Sequence, residues 1–322
     1  MSGGSKETKA PAGVVAGSPT RPENATGKGE AGFPDASCAA GDIIYGFGHV
    51  GKQGVAYSPT RTEDFLRCPV YHRLRRDGWE ALGTGWEPPR AMGTAIAKGL
   101  EVFYLNQGDP FEAARLSLDL AYQDNPKHTL DGLQAILAKG LTRALERAEE
   151  IVQAEHVLGV ELDLGESRPD LVTRSKSTGE LIVTDAKAPF HLKPEWVPKR
   201  LAEYDSSHQF RHYAWRVGLH YGEPVKWVRA HLTILTPTAK SLVHPVKVTP
   251  EWVEFWLRGA KYVWGHMQEC EGVPLKELPP KIDSCHGKFG RCPMYEACHV
   301  YHLDEDQFGM LYEKQEKGVI ES

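Results

Sequence analysis

Residues 169–187 read PDLVTRSKSTGELIVTDAK. Two runs rich in apolar and β-branched residues, Asp170–Thr173 and Leu181–Ala188, flank the turn-forming Ser175-Lys176-Ser177-Thr178-Gly179, the pattern of a β-hairpin. Asp185 and Lys187 stand two apart on a strand, so both side chains leave the same face. Asp170 opens the other arm, which brings its carboxylate beside Asp185. Two carboxylates converging at a strand end repel each other unless a cation lies between them. Mg²⁺ suits such a place, because it takes oxygen ligands and keeps several waters with one or two carboxylates. An ammonium beside them can orient an attacking water and offset charge on a phosphoryl oxygen. The plainer reading makes Asp170 a turn cap and Asp185/Lys187 a surface ion pair. Leu181-Ile182-Val183 and Ala186 and Ala188 instead mark a buried strand, where unpartnered charge is costly.

Outward from the hairpin, the apolar period changes on both sides. Upstream it is helical. Ser58-Pro59-Thr60 starts a helix of about four turns through Phe65, Leu66, Val70, Tyr71 and Leu74. Met92–Leu105, Phe111–Tyr122 and the long amphipathic Leu130–Glu155 follow. Val157–Leu164 reads as a strand leading into the hairpin. Downstream come a helix from Glu203 to Leu219, a strand over Val225–Leu235, and a helix capped by Thr249-Pro250. Trp252, Phe255, Trp256 and Val263 recur on that last helix at helical spacing and are expected in the core. The order implies an α/β domain with helices packed on a mixed β-sheet. Gln209 and Tyr213, four apart on one helix face, are placed to touch a phosphate or a nucleophilic water. Equally, they read as a surface amide and a half-buried phenol.

The 322 residues are 41% hydrophobic and 25% charged, with a net charge of −5. That composition excludes collagen-like, coiled-coil and wholly disordered chains. No apolar run approaches the roughly 18 residues that span a bilayer, and the N-terminus lacks a signal-peptide core, so a cytoplasmic protein is expected. Residues 1–41 hold 8 Gly and 4 Pro with no hydrophobic period and read as a disordered leader. From Leu303 onward six acidic and two basic residues form an acidic C-terminal tail over 303–322. The body, 42–302, is therefore nearly neutral, and the acidity is no argument against a polyanionic partner.

Six cysteines are too few for a disulfide scaffold in a chain of this size. Cys285, Cys292 and Cys298 cluster, and Cys68 stands 217 residues upstream of the first of them. Four thiols are the number wanted by tetrahedral Zn²⁺ or by a [4Fe–4S] cluster. The lack of a Cys-x-x-Cys pair weakens a zinc ribbon, and small buried hydrophobes are the other reading. Cys38 and Cys270 are left over.

Taken together, these residues resemble the PD-(D/E)XK nuclease superfamily, in its RecB/AddB-like iron–sulfur branch, which includes phage exonucleases and CRISPR-adaptation nucleases. The resemblance is carried by Ser58-Pro59-Thr60 with Cys68-Pro69 and Tyr71, Gly93-Thr94-Ala95-Ile96, Pro169-Asp170 with Asp185-Ala186-Lys187, Gln209 with Tyr213, and Cys285, Cys292-Pro293 and Cys298. It implies a restriction-endonuclease-like core over 42–302, with N- and C-terminal helical segments joined by an iron–sulfur cluster on four cysteines. Asp170, Asp185 and the Ala186 carbonyl would bind Mg²⁺ or Mn²⁺, and Lys187 would position or activate the water. Gln209 and Tyr213 would help bind DNA. Cys68, Cys285, Cys292 and Cys298 would hold the [4Fe–4S] cluster, with structural Zn²⁺ the alternative. The implied activity is metal-dependent exonuclease action on single-stranded DNA or DNA ends, in phage or bacterial recombination, repair or CRISPR adaptation, with proteins of those systems and self-assembly as possible partners. One position departs from the family pattern: Ala97 stands where a metal-contacting histidine is usual. That departure favours a catalytically weakened DNA- or partner-binding member, and a zinc-stapled interaction domain is a third reading.

Overall fold

A computed structural model of the chain describes residues 57–314 except 82–87, 124–126, 191, 237 and 288–289. The leader expected over 1–41, with Cys38, lies outside the described residues, as does the end of the acidic tail beyond 314.

Ser58 caps the first helix by accepting the Arg61 N–H at 3.2 Å, and Pro59 fills its first position. The expected four-turn helix is two: α1, Pro59–Arg67, and α2, Pro69–Arg76. Pro69 drives the preceding Cys68 out of the helical region to φ −167°, ψ 126°, which breaks the run and leaves Cys68 buried. A short strand β1, Trp79–Ala81, precedes α3, Pro88–Leu105. Helix α4, Pro110–Ala121, is capped by Asp109. Helix α5, Leu130–Ala154, is capped by Thr129.

Strands β2, Glu155–Val160, β3, Leu171–Ser175, and β4, Leu181–Lys187, follow. Strand β2 starts two residues before the expected Val157. It carries a bulge between Val157 and Gly159 and ends at Val160, before Glu161, whose φ of 47° leaves the extended region. The helix expected over 203–219 is also two, α6, Val197–Asp205, and α7, His208–Tyr221. Ser207 caps the second by accepting the Phe210 N–H, so Gln209 falls in a fresh first turn. Strand β5, Val225–Ile234, is followed by β6, Lys240–Lys247, which the sequence pattern had not indicated. Pro245 is tolerated in β6 because this strand is the sheet edge. Helix α8, Pro250–Glu271, is capped by Thr249. Phe255 corrects the expectation for that helix: it is 74% exposed, while Trp256 is buried.

The five strands form one mixed sheet in the order β2-β3-β4-β5-β6, with β4 and β5 parallel and the other neighbours antiparallel. Helices α3, α4 and α5 build one apolar cluster, with Leu235 at the end of β5. Helices α7 and α8 build another with the sheet. A polar ladder crosses four strands inside the sheet. Arg229 of β5 binds both oxygens of Glu155 of β2 at 2.5 and 2.7 Å and donates to Thr184 of β4 at 2.6 Å. Thr173 of β3 donates to Glu155 at 2.5 Å. Each partner satisfies the others, which is what makes a buried ion pair tolerable.

A third cluster joins α2 to the C-terminal segment. That segment holds the two-residue strands β7, His286–Gly287, and β8, Gly290–Arg291, then α9, Tyr295–His299, α10, Glu305–Phe308, and β9, Tyr312–Lys314. Strand β9 pairs antiparallel with β1, and Phe308 and Tyr312 are buried. The part of the acidic tail that is described is thus packed through these two aromatics. No helix among the described residues is long and apolar enough to cross a membrane.

Candidate active site

The hairpin register fixes the centre. Leu171 pairs with Thr184, so Asp170, one residue before, falls opposite Asp185. Asp185 is 2% exposed and Asp170 is half-buried. Asp170 Oδ2 accepts the Ala186 N–H at 2.5 Å. Lys187 lies 2.6 Å from Asp185 Oδ2 and donates to Gln209 Oε1 at 2.9 Å. Gln209 Nε2 donates to the Tyr213 hydroxyl at 2.7 Å and reaches Asp185 Oδ1 at 3.4 Å. Asp185, Lys187, Gln209 and Tyr213 therefore form one connected group from β4 and α7, and Asp170, just before β3, is tied to it through the Ala186 N–H.

Their protonation follows from crowding. Burial raises the Asp170 pKa well above the ordinary aspartate value, and the Asp185 charge raises it further, against the opposing Ala186 hydrogen bond. Burial also raises Asp185, which Lys187 partly counters. For Lys187, burial works against the charge, but Asp185 more than offsets it, so the lysine stays an ammonium above its usual range. Tyr213 is pushed upward by burial and by both aspartates and remains a neutral phenol.

Two more carboxylates face this centre that the sequence reading did not single out. Glu101 of α3 and Glu161, just past β2, line one pocket with Ala97, Asp170, Ala186 and His231. Glu161 is held by Arg168 at 2.9 Å, and burial lifts its pKa. Glu101 was legible in principle, since it follows Ala97 by four residues on one helix face. Glu161 was not, because only the bulge and its positive φ turn it inward.

Among the described residues, no group of three or more His, Cys, Asp or Glu is arranged to hold a metal ion. Asp185 is engaged by Lys187 and Asp170 by a backbone N–H. An all-oxygen pair of crowded carboxylates still fits Mg²⁺ or Mn²⁺, because Mg²⁺ needs only one or two protein carboxylates and fills its shell with water.

The cysteines make a separate place. Cys68, Cys285, Cys292 and Cys298 line a single pocket, although Cys68 comes from the α1–α2 break and the others from the C-terminal segment. All four are free thiols, and Cys285 Sγ lies 3.3 Å from His299 Nε2. Burial, and then the three neighbouring thiols, push Cys298 up to about 12.

Residues 56–299 match the family model of the PD-(D/E)XK nuclease superfamily. Among solved structures, the chain is similar to a candidate exonuclease from Eubacterium rectale, at 16% identity and a TM-score of 0.41, over 77% of this chain and 88% of that one. It is also similar to LHK-Exo in complex with dAMP, at 11% identity and a TM-score of 0.25, over 56% of this chain and 94% of that one. No curated protein matches the chain.

The raised carboxyls give a stability prediction. A carboxyl whose folded pKa lies above its unfolded value binds protons preferentially in the folded state. Its stabilising effect is full below the unfolded pKa and is lost as pH rises through the folded one. Asp170→Asn keeps an acceptor for the Ala186 N–H but removes the charge. In metal-free protein it is expected to raise Tm by about 2–4 °C at about pH 8, roughly 1 kcal/mol in a chain of this size, and by less at about pH 5. Calorimetry showing no gain at the higher pH contradicts the crowded-carboxylate account.

Proposed function

Because this chain belongs to the PD-(D/E)XK nuclease superfamily, we propose that its carboxylate–lysine centre hydrolyses DNA phosphodiesters with Mg²⁺ or Mn²⁺, as an exonuclease on single-stranded or frayed ends. The observation that carries this reading is the register-enforced pairing of Asp170 with Asp185, with Lys187 held across Asp185 and Gln209. Asp170, Asp185 and the Ala186 carbonyl are the groups that would hold the cation, with Glu161 and Glu101 nearby in the same pocket. Such an ion, when bound, polarises the phosphoryl oxygen and lowers the pKa of a water nucleophile.

The remaining work falls to residues of the chain. Lys187, whose positive charge Asp185 supports at 2.6 Å, is placed to stabilise the developing negative charge on phosphate and to position the attacking water. Gln209 fixes that ammonium through Oε1 and spends its amide hydrogens on Tyr213 and Asp185. Tyr213, a neutral phenol, is also within 3.4 Å of the Arg168 carbonyl, which ties α7 to the segment entering β3. Sheet and helix thereby hold the charges in place before any substrate arrives.

Cys68, Cys285, Cys292 and Cys298 are proposed to hold a [4Fe–4S] cluster. Four identical soft donors in one pocket, at the junction of α2 with the C-terminal segment, support it. Structural Zn²⁺ on the same four thiols is the alternative. The setting proposed is bacterial or phage DNA recombination, repair or CRISPR adaptation, in the cytoplasm. Ala97 supports a second reading, a weakened member that binds DNA more than it cuts, because a methyl group in that pocket offers the cation nothing.

Release of nucleotides from end-labelled single-stranded DNA with Mn²⁺ tests the enzyme. Lys187→Ala is expected to lower the rate by about 10²-fold or more, and Ala97→His to raise it. Equal release by wild type and Lys187→Ala overturns the nuclease reading, and equal release by wild type and Ala97→His removes position 97 from the mechanism. Protein purified without air is expected to be brown, with visible absorption that Cys298→Ser loses. Colourless, zinc-loaded protein contradicts the cluster.

A further inference from the structure

Beside the site, helices α1, α7 and α8 enclose an open groove of about 490 Å³, walled by Leu66, His208, Arg211, Phe255, Arg258 and Val263 among others. Among the described residues, none lining it is acidic, in a chain whose net charge is −5. Arg211 lies over the Trp252 ring at 4.6 Å and donates to the Ser206 carbonyl, so its guanidinium is held at the rim. Arg258 is exposed and has no ion-pair partner among the described residues. Burial and the neighbouring Arg211 lower the His208 pKa to about 4, so that ring is neutral near pH 7 and the arginines carry the groove's charge.

The outer stripe of α8 continues the groove. Phe255 is 74% and Tyr262 72% exposed, with Arg258 between them, and Tyr262 packs edge-on against His266 at 4.5 Å. Large aromatics left in water on one helix face, interleaved with an unpaired cation, are unusual for a surface without a ligand. Seven residues of helix carry Tyr262 about 10.5 Å beyond Phe255 on the same face.

Two elements join groove to site. On α7, Gln209 belongs to the Lys187 network while its neighbour His208 and the next-turn Arg211 line the groove. On α1, Glu63 lies within electrostatic reach of Lys187, and Leu66, three residues on, lines the groove. We infer that this groove and the Phe255–Arg258–Tyr262 stripe bind the single DNA strand that feeds the active site. The bases stack on Phe255 and Tyr262, and Arg211 and Arg258 take the phosphates. Such contacts are sequence-tolerant, because every base has a π-face. The inference rests on the nuclease reading of the adjoining site.

The test is fluorescence anisotropy of a labelled oligothymidylate with the full chain in EDTA, where nothing is cut. Phe255→Ala is expected to weaken binding by roughly 10- to 100-fold. Arg258→Gln is expected to flatten the slope of log affinity against log salt by about 0.7. Both positions are exposed, and an unchanged circular dichroism melt shows that the variants fold. Crosslinking through bromodeoxyuridine, expected on the α8 peptide, reads the same contact in wild type. Wild-type binding that both variants retain in full, with crosslinks elsewhere, overturns the groove and leaves the nuclease reading standing. No binding by wild type overturns the groove, while release of nucleotides with Mn²⁺ decides the nuclease reading separately. Variants that keep DNA affinity but lose self-association in sedimentation make the stripe a protein interface and overturn the proposal.

Discussion

Two carboxylates side by side in a protein interior are a standing electrostatic cost, and the sheet of this molecule is built so that they have nowhere else to go. Asp170 and Asp185 face each other because Leu171 pairs with Thr184, and a one-residue slip would turn every side chain of β4 over. The register is held by more than the hairpin. Thr184, next to Asp185, is one rung of the Glu155–Thr173–Thr184–Arg229 ladder, so the strand carrying the site is tied through Arg229 of β5 to β2 and β3. On the other flank, the parallel pairing of β4 with β5 requires a crossover, and α7 is its last helix. That crossover delivers Gln209 and Tyr213 to the end of β4 where Asp185 and Lys187 stand.

The charge balance follows. Lys187 partly compensates Asp185 and leaves Asp170 under-compensated. A divalent cation is the species that would relieve the remainder, and the nearby Glu101 and Glu161 add to the same negative field. The cysteine pocket sets a comparable constraint at long range, since it brings the α1–α2 break against a segment more than 200 residues later.

Much of this was legible in the sequence for a physical reason. The hairpin announces itself through β-branched runs and a turn, and its charges stand out because buried strands seldom carry them. Gln209 and Tyr213 followed from helix spacing. The misreadings have local causes. Periodicity ran through Cys68 and through Ser206-Ser207, yet Pro69 and the Ser207 cap decide those boundaries by backbone sterics and hydrogen bonding. Strand β6 escaped because its Pro245 reads against a strand, and only its place at the edge makes it acceptable. Phe255 shares the helical spacing of buried Trp256 but sits on the far side of α8. Spacing alone does not say which face meets the core.

Burial raises both aspartate pKa values, and the Asp185 charge raises Asp170 further, so a cation bound at the pair is expected to displace protons. Isothermal titration of Mn²⁺ into the protein near neutral pH, in two buffers of different ionisation enthalpy, measures this directly. Wild type is predicted to release protons as the ion binds, and Asp170→Asn to release fewer. Binding with no proton release, or with the same release from Asp170→Asn, would contradict it.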